Sequence, residues 1–127
     1  MRIAIDTNRY SDLVRGDGVV AEVVSSADEV VIPLVVVAEL RAGFAAGTRS
    51  TQNESVLRRF LTQPGVSVLC PDEQTSFHYA SVYSQLRRAG TPIPTNDLWI
   101  AALVLQHGLV LYTRDRHFNL LPQIPRI

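Results

Sequence analysis

Short β-branched runs alternate along the chain with longer segments whose apolar residues recur at helical spacing. Arg2 to Ile5 is an apolar run that stops at Asp6-Thr7-Asn8, residue types that turn a chain and cap helices, so a strand followed by a loop is predicted there. A helix or pair of short helices follows from about Tyr10 to Ser26, interrupted at Gly16-Asp17-Gly18. Glu29 to Ile32 is a second buried strand, brief and β-branched.

Pro33 suits the start of a helix through LVVVAELRAGF, where Val37, Leu40 and Phe44 fall on one face and Glu39 lies beside that stripe. The β-branched residues Val35 to Val37 leave a strand extension as the rival reading. Thr51 to Thr62 is a further helix, with Val56, Leu57, Phe60 and Leu61 as its apolar positions. Val66 to Leu69 is a third strand, and Asp72 to Ala89 a long helix with Phe77, Ala80, Tyr83 and Leu86 at spacings of three.

The best-defined helix is TNDLWIAALVLQHG. Thr95 or Asn96 can cap it, Leu98, Ala101, Ala102 and Leu105 form its stripe, and Gly108 can close it. Leu109 to Thr113 is a fourth strand stopping at Thr113-Arg114-Asp115, and Gln123 to Arg126 is a candidate fifth despite its proline. Buried strands alternating with helices predict an α/β fold, a single α/β/α sandwich over residues 1–127 with a central parallel sheet of four to five strands. Open parallel sheets bind ligands outside the carboxyl ends of their strands, which directs attention to the polar residues there.

Composition narrows the chemistry. The 127 residues are 46% hydrophobic, enough for one domain with a real core. No apolar run approaches the roughly 20 residues of a membrane span, and the N-terminus shows no signal-peptide pattern, so a soluble, cytoplasmic protein is expected. All twelve basic residues are arginine; without lysine, P-loop phosphate binding and Schiff-base catalysis are excluded. Cys70 is the single cysteine, which excludes a disulfide framework and a multi-cysteine zinc site, and it is expected to be a small buried hydrophobe. Net charge is zero, so any basic face for nucleic acid has to be local; Arg9, Arg41, Arg87, Arg88, Arg114 and Arg116 are candidates for phosphate contacts.

Four acids stand out by position. Asp6 follows the first strand and Asp115 the fourth, so neighbouring strands would bring them together at one sheet edge. Asp97 opens the helix preceding the fourth strand, and a right-handed crossover puts that helix start on the same side. Glu39 reaches this edge only if its helix begins early enough. Singly, each acid has an ordinary explanation as a turn residue, a surface acid or a partner of the helix dipole. Jointly they form a carboxylate cluster that needs a cation, and a hard divalent ion, Mg²⁺ or Mn²⁺, fits oxygen ligands and metal-dependent phosphodiester chemistry. The three histidines form no HExxH spacing and are read as structural or surface residues. Tyr79, Tyr83 and Trp99 lie at helical spacings more typical of core than of base stacking.

IDTN at 5–8, AEL at 38–40, TNDLWIAA at 95–102 and LYTRDRHF at 111–118 resemble the PIN-domain ribonucleases, specifically the VapC-type toxins of bacterial toxin-antitoxin systems. The resemblance implies that Asp6, Glu39, Asp97 and Asp115 form the catalytic, metal-holding pocket, with Thr7, Asn8 and Thr113 orienting carboxylates or water. It implies an endoribonuclease acting on structured RNA such as transfer or ribosomal RNA, by attack of a metal-activated water. It also implies a VapB-type antitoxin, a homodimeric toxin, and contact with DNA only through the antitoxin. Val36 and Pro33 depart from the hydroxylic residues many members carry at those positions. Two rival readings are a non-catalytic binding module on the same fold and a phosphatase using Asp6 as nucleophile; the latter normally wants an acid in place of Asn8, and a lysine.

Overall fold

A computed structural model describes all residues 1–127. Four parallel strands, β1 (Arg2–Ile5), β2 (Glu29–Pro33), β3 (Val66–Leu69) and β4 (Val110–Tyr112), form one sheet in the order β3-β2-β1-β4. Six helices flank it: α1 (Thr7–Val14), α2 (Gly18–Ser26), α3 (Leu34–Ala46), α4 (Ser50–Leu61), α5 (Glu73–Ala89) and α6 (Thr95–His107). Successive strand residues point to opposite faces, and Ile3, Ala4 and Ile5 of the inner strand β1 are all fully buried. Both faces are therefore covered, as an α/β/α sandwich requires.

The order of strands sets the position of the site. β2 and β3 lie on one side of β1 and β4 on the other, so the direction of winding reverses between β1 and β4. Such a switch point opens a crevice at the carboxyl ends of the two strands. Asp6 leaves β1 at this crevice, and Asp115 follows β4.

Several local expectations are corrected. The first helix starts at Thr7 rather than near Tyr10, because the Asp6 carboxylate accepts the Thr7 N–H and caps it. α2 restarts after the glycine interruption on an Asp17 cap. The helix reading of α3 prevails over a strand extension: Val36, Val37 and Leu40 are buried, and burial outweighs the weak propensity of valine. In α5 the buried residues are Thr75, Val82 and Leu86, while Phe77, Ala80 and Tyr83 face solvent. Steps of three drift off a face that repeats every 3.6 residues, whereas 75, 82 and 86 keep to it.

α6 departs from expectation in two ways. Neither Thr95 nor Asn96 caps it: Pro94 occupies the cap position with no side-chain bond. It is also buried almost all round, through Leu98, Ile100, Ala101, Ala102, Leu103 and Val104, rather than along one stripe. Gly108 ends it in the left-handed conformation at φ 62°, as expected. The candidate fifth strand shrinks to one bridge between Leu111 and Arg126, since Pro122 and Pro125 have no N–H to extend a ladder. Cys70 is exposed, not buried, at the end of an edge strand whose Val68 also reaches solvent. No helix is long and apolar enough to cross a membrane.

Candidate active site

Asp6 is 5% exposed and Asp97 8%, among only four polar or charged residues that the fold buries. Backbone geometry places each of them. Asp6 is the residue at which β1 turns into α1; its Oδ1 accepts the Thr7 N–H at 2.7 Å and its Oδ2 accepts the Thr113 hydroxyl at 2.7 Å. Thr113 therefore joins the end of β4 to the end of β1. The same hydroxyl accepts the Asp115 N–H at 3.0 Å, which sets where the second acid turns off the strand.

Glu39 sits two turns into α3, and because that helix starts directly at Leu34 it reaches the crevice. The Thr7 hydroxyl donates to Glu39 Oε1 at 3.2 Å, and Asn96 from the first turn of α6 stands beside the same carboxylate. Asp97, one residue on, is brought in by the start of α6. The four acids expected to meet thus come from four separate segments and influence one another electrostatically.

One participant is not marked by the sequence. His117, from the short 3-10 helix Arg116–Leu120, places Nδ1 2.7 Å from Asp97 Oδ2 and 3.1 Å from Asp115 Oδ1. Its lack of a ligand spacing predicts a structural or surface residue, and only its position two residues after Asp115 points to the crevice. His78 and His107 remain outside the crevice, on α5 and at the end of α6. Asn8 is exposed on α1 and makes no hydrogen bond to the acids. The Tyr79 and Trp99 rings pack against each other, 4.5 Å between centroids, as a helix-to-helix contact rather than a stacking platform.

Burial dominates the electrostatics. It pushes the Asp97 carboxyl up to about 6, with Asp115 and Asp6 adding repulsion and the His117 hydrogen bond opposing. Asp6 and Glu39 are raised by the same desolvation, against hydrogen bonds from Thr113 and Thr7 respectively. His117 is held above its ordinary value, first by its bond to Asp97. Carboxylates kept this close and this dry favour a cation among them. Donor atoms of Asp97, Asp115 and His117 all lie within 4.8 Å of one another, a spacing and a mostly oxygen donor set that fit a divalent ion.

A parallel sheet with a carboxylate pocket at its switch point defines a PIN-type fold, and the family model of the PIN domain matches residues 3–123: the chain belongs to the PIN-domain family. Among its relatives is Ribonuclease VapC1 of Haemophilus influenzae strain R2866, 35% identical over 115 residues that cover 87% of this chain and 84% of the relative. The solved structure of VapBC-1 from nontypeable Haemophilus influenzae superposes with a TM-score of 0.89 at 30% identity, covering 100% of this chain and 97% of that one. VapBC-5 from Mycobacterium tuberculosis, a member of the VapBC family of toxin-antitoxin systems, is similar in fold, with a TM-score of 0.75 at 24% identity and 100% of both chains covered.

Proposed function

We propose that this chain is a divalent-metal-dependent endoribonuclease of the VapC type, the toxin of a toxin-antitoxin pair, in which Asp6, Glu39, Asp97 and Asp115 hold Mg²⁺ or Mn²⁺. The observation that carries the reading is the meeting of four acids from distant segments at the switch point of the sheet, two of them buried. A phosphatase built on Asp6 is disfavoured because Asn8 stands where that chemistry wants a second acid, and no lysine exists to balance a phosphoaspartate.

When bound, the ion makes water a better nucleophile and neutralises charge developing on the phosphoryl group. The side chains supply position. Thr113 and the Thr7 N–H fix the Asp6 carboxylate from both sides, so its orientation does not depend on the ion. The Thr7 hydroxyl does the same for Glu39. His117 sets Nδ1 between Asp97 and Asp115, 2.7 and 3.1 Å from their oxygens, where a proton would balance them with no ion bound. Asn8 has no assigned contact and is the weakest of the supporting residues.

The partners follow from the same reading: a structured RNA as substrate, of the transfer or ribosomal kind, and a VapB-type antitoxin, with DNA met only through that antitoxin. The toxin would be cytoplasmic and homodimeric within the complex. Purified chain freed of antitoxin should cut total RNA into discrete fragments with Mg²⁺ or Mn²⁺ and leave it intact with chelator. Asp97→Asn should abolish the cleavage and the growth inhibition; undiminished cleavage by that variant would sink the assignment.

A further inference from the structure

Four carboxylates repel the polyanion that this reading has them cut. Favourable approach of RNA therefore needs fixed positive charge beside the pocket. The overall net charge is zero, so the compensation has to be local.

It lies on one side of the pocket. Beside Asp115 is an open groove lined by Thr113, Arg114, Asp115, Arg116, Asn119, Arg126 and Ile127. Three of these seven residues are arginines, and all three are exposed. Two are held in place. Arg114 donates through Nε at 3.0 Å and through a terminal nitrogen at 3.2 Å to the two oxygens of Asp12. Arg126 donates to the Asn119 side chain at 2.9 Å. Arg116 between them is paired with no carboxylate.

Asp12 does not cancel this charge. Its side chain is 13% exposed and also faces Arg9 at 3.4 Å and Arg15 at 3.7 Å, so one carboxylate serves three guanidinium groups. Arg9 in turn lies over the Tyr112 ring, 4.7 Å from its centroid, with its Nε buried and unpartnered. The side chains around the groove thus carry a surplus of positive charge, pre-oriented, next to the acids. Planar guanidinium donors in fixed orientation match phosphate oxygens.

Resting on the nuclease reading, we infer that the Arg114–Arg116–Arg126 groove binds the RNA backbone on one side of the scissile phosphate, with Asp12 as the positioning residue that aims Arg114. Contacts of this kind set register and carry no base specificity.

The test uses the full chain carrying Asp97→Asn, which is expected to bind RNA without cutting it, and measures RNA affinity by fluorescence anisotropy across a salt series. Arg116→Ala and Arg126→Ala should each weaken binding about three- to tenfold and reduce the slope of log affinity against log salt by about one. Arg59→Ala, an exposed arginine on α4, should change neither. Arg116→Lys should restore most of the slope and less of the affinity, because a point charge replaces a planar fork. In the cleaving protein Asp12→Asn should raise KM with little change in kcat. Wild-type affinity and slope in both alanine variants, with RNA still bound by the parent, would overturn the groove and leave the nuclease reading intact. The groove is equally overturned if those variants keep RNA but lose an acidic antitoxin peptide. Absence of any metal-dependent cleavage by the wild-type chain would remove both readings together.

Discussion

Asp97 makes the conflict between stability and chemistry measurable at a single residue. Its carboxyl, raised to about 6, binds a proton more tightly in the folded chain than in the unfolded one. Unfolding free energy contributed by this group is therefore highest at low pH and is lost as pH rises from about 4 through about 6. Asp97→Asn cannot ionise, yet still offers an oxygen to His117. In chelator at pH 7 the variant should be about 1–2 kcal/mol more stable than the wild type, and the gain should shrink as pH falls toward 4. Urea midpoints at the two pH values check this; a destabilised variant at pH 7 would contradict it.

Thr113 is the second residue with a separable role. Thr113→Val keeps the volume but removes the donor to Asp6 and the acceptor of the Asp115 N–H. Removing such supporting bonds typically weakens metal affinity about 10- to 100-fold. Titration calorimetry with Mn²⁺ should show that loss, with the far-ultraviolet spectrum unchanged.

At the scale of elements, one buried hydroxyl helps join α5 to α6. Thr75, fully buried, accepts the Asp72 N–H at 2.9 Å in the capping box of α5 and donates to Gln106 near the end of α6. Thr75→Val leaves those partners short of a bond and should cost about 1–3 kcal/mol. Thermal melting should register the loss, while RNA cleavage at room temperature persists, because Thr75 meets α6 at Gln106, the opposite end of that helix from Asp97.

The elements themselves were largely readable, because each strand is a short β-branched run and each turn carries its own chemistry. Failures fell where tertiary contacts decide. The face of α5 could not be chosen from a three-residue spacing that straddles two faces. The absence of a side-chain cap on α6 was hidden because Pro94 is an equally acceptable neighbour for a helix start. Asp6, Asp97 and Asp115 could be gathered because each stands at a strand or helix end whose direction follows from crossover handedness, whereas Glu39, inside α3, depended on where that helix begins. His117 could not be, since a 3-10 turn has no periodic signature and its aim is set by the Asp115 N-cap. Arg41, a candidate for phosphate, is instead bound to Glu54 through two hydrogen bonds, 2.9 and 3.0 Å, which brace α3 against α4.

For the molecule as a whole, a cation held in the pocket would couple its binding to folding. No unfolded chain brings the four acids together, so any ion they hold binds the folded state alone, and saturating Mg²⁺ or Mn²⁺ at about 100 times its dissociation constant should add about 2.7 kcal/mol of stability. Asp97→Asn should lose most of that response. The two variants of the same residue-scale experiment would then cross: the substituted protein more stable in chelator, the wild type more stable in metal. Parallel melts in the two conditions would show whether the curves cross.

The placement of β4 has a consequence for synthesis. β1 is made first and lies inside the sheet, but its second neighbour arrives only after Val110, and the hydroxyl that locks Asp6 is 107 residues further along the chain. A ribosome translating this message makes Asp6 and Glu39 long before Thr113 and Asp115, and Asp97 only shortly before them. The carboxylate cluster is therefore completed only once β4 and the turn after it have been made.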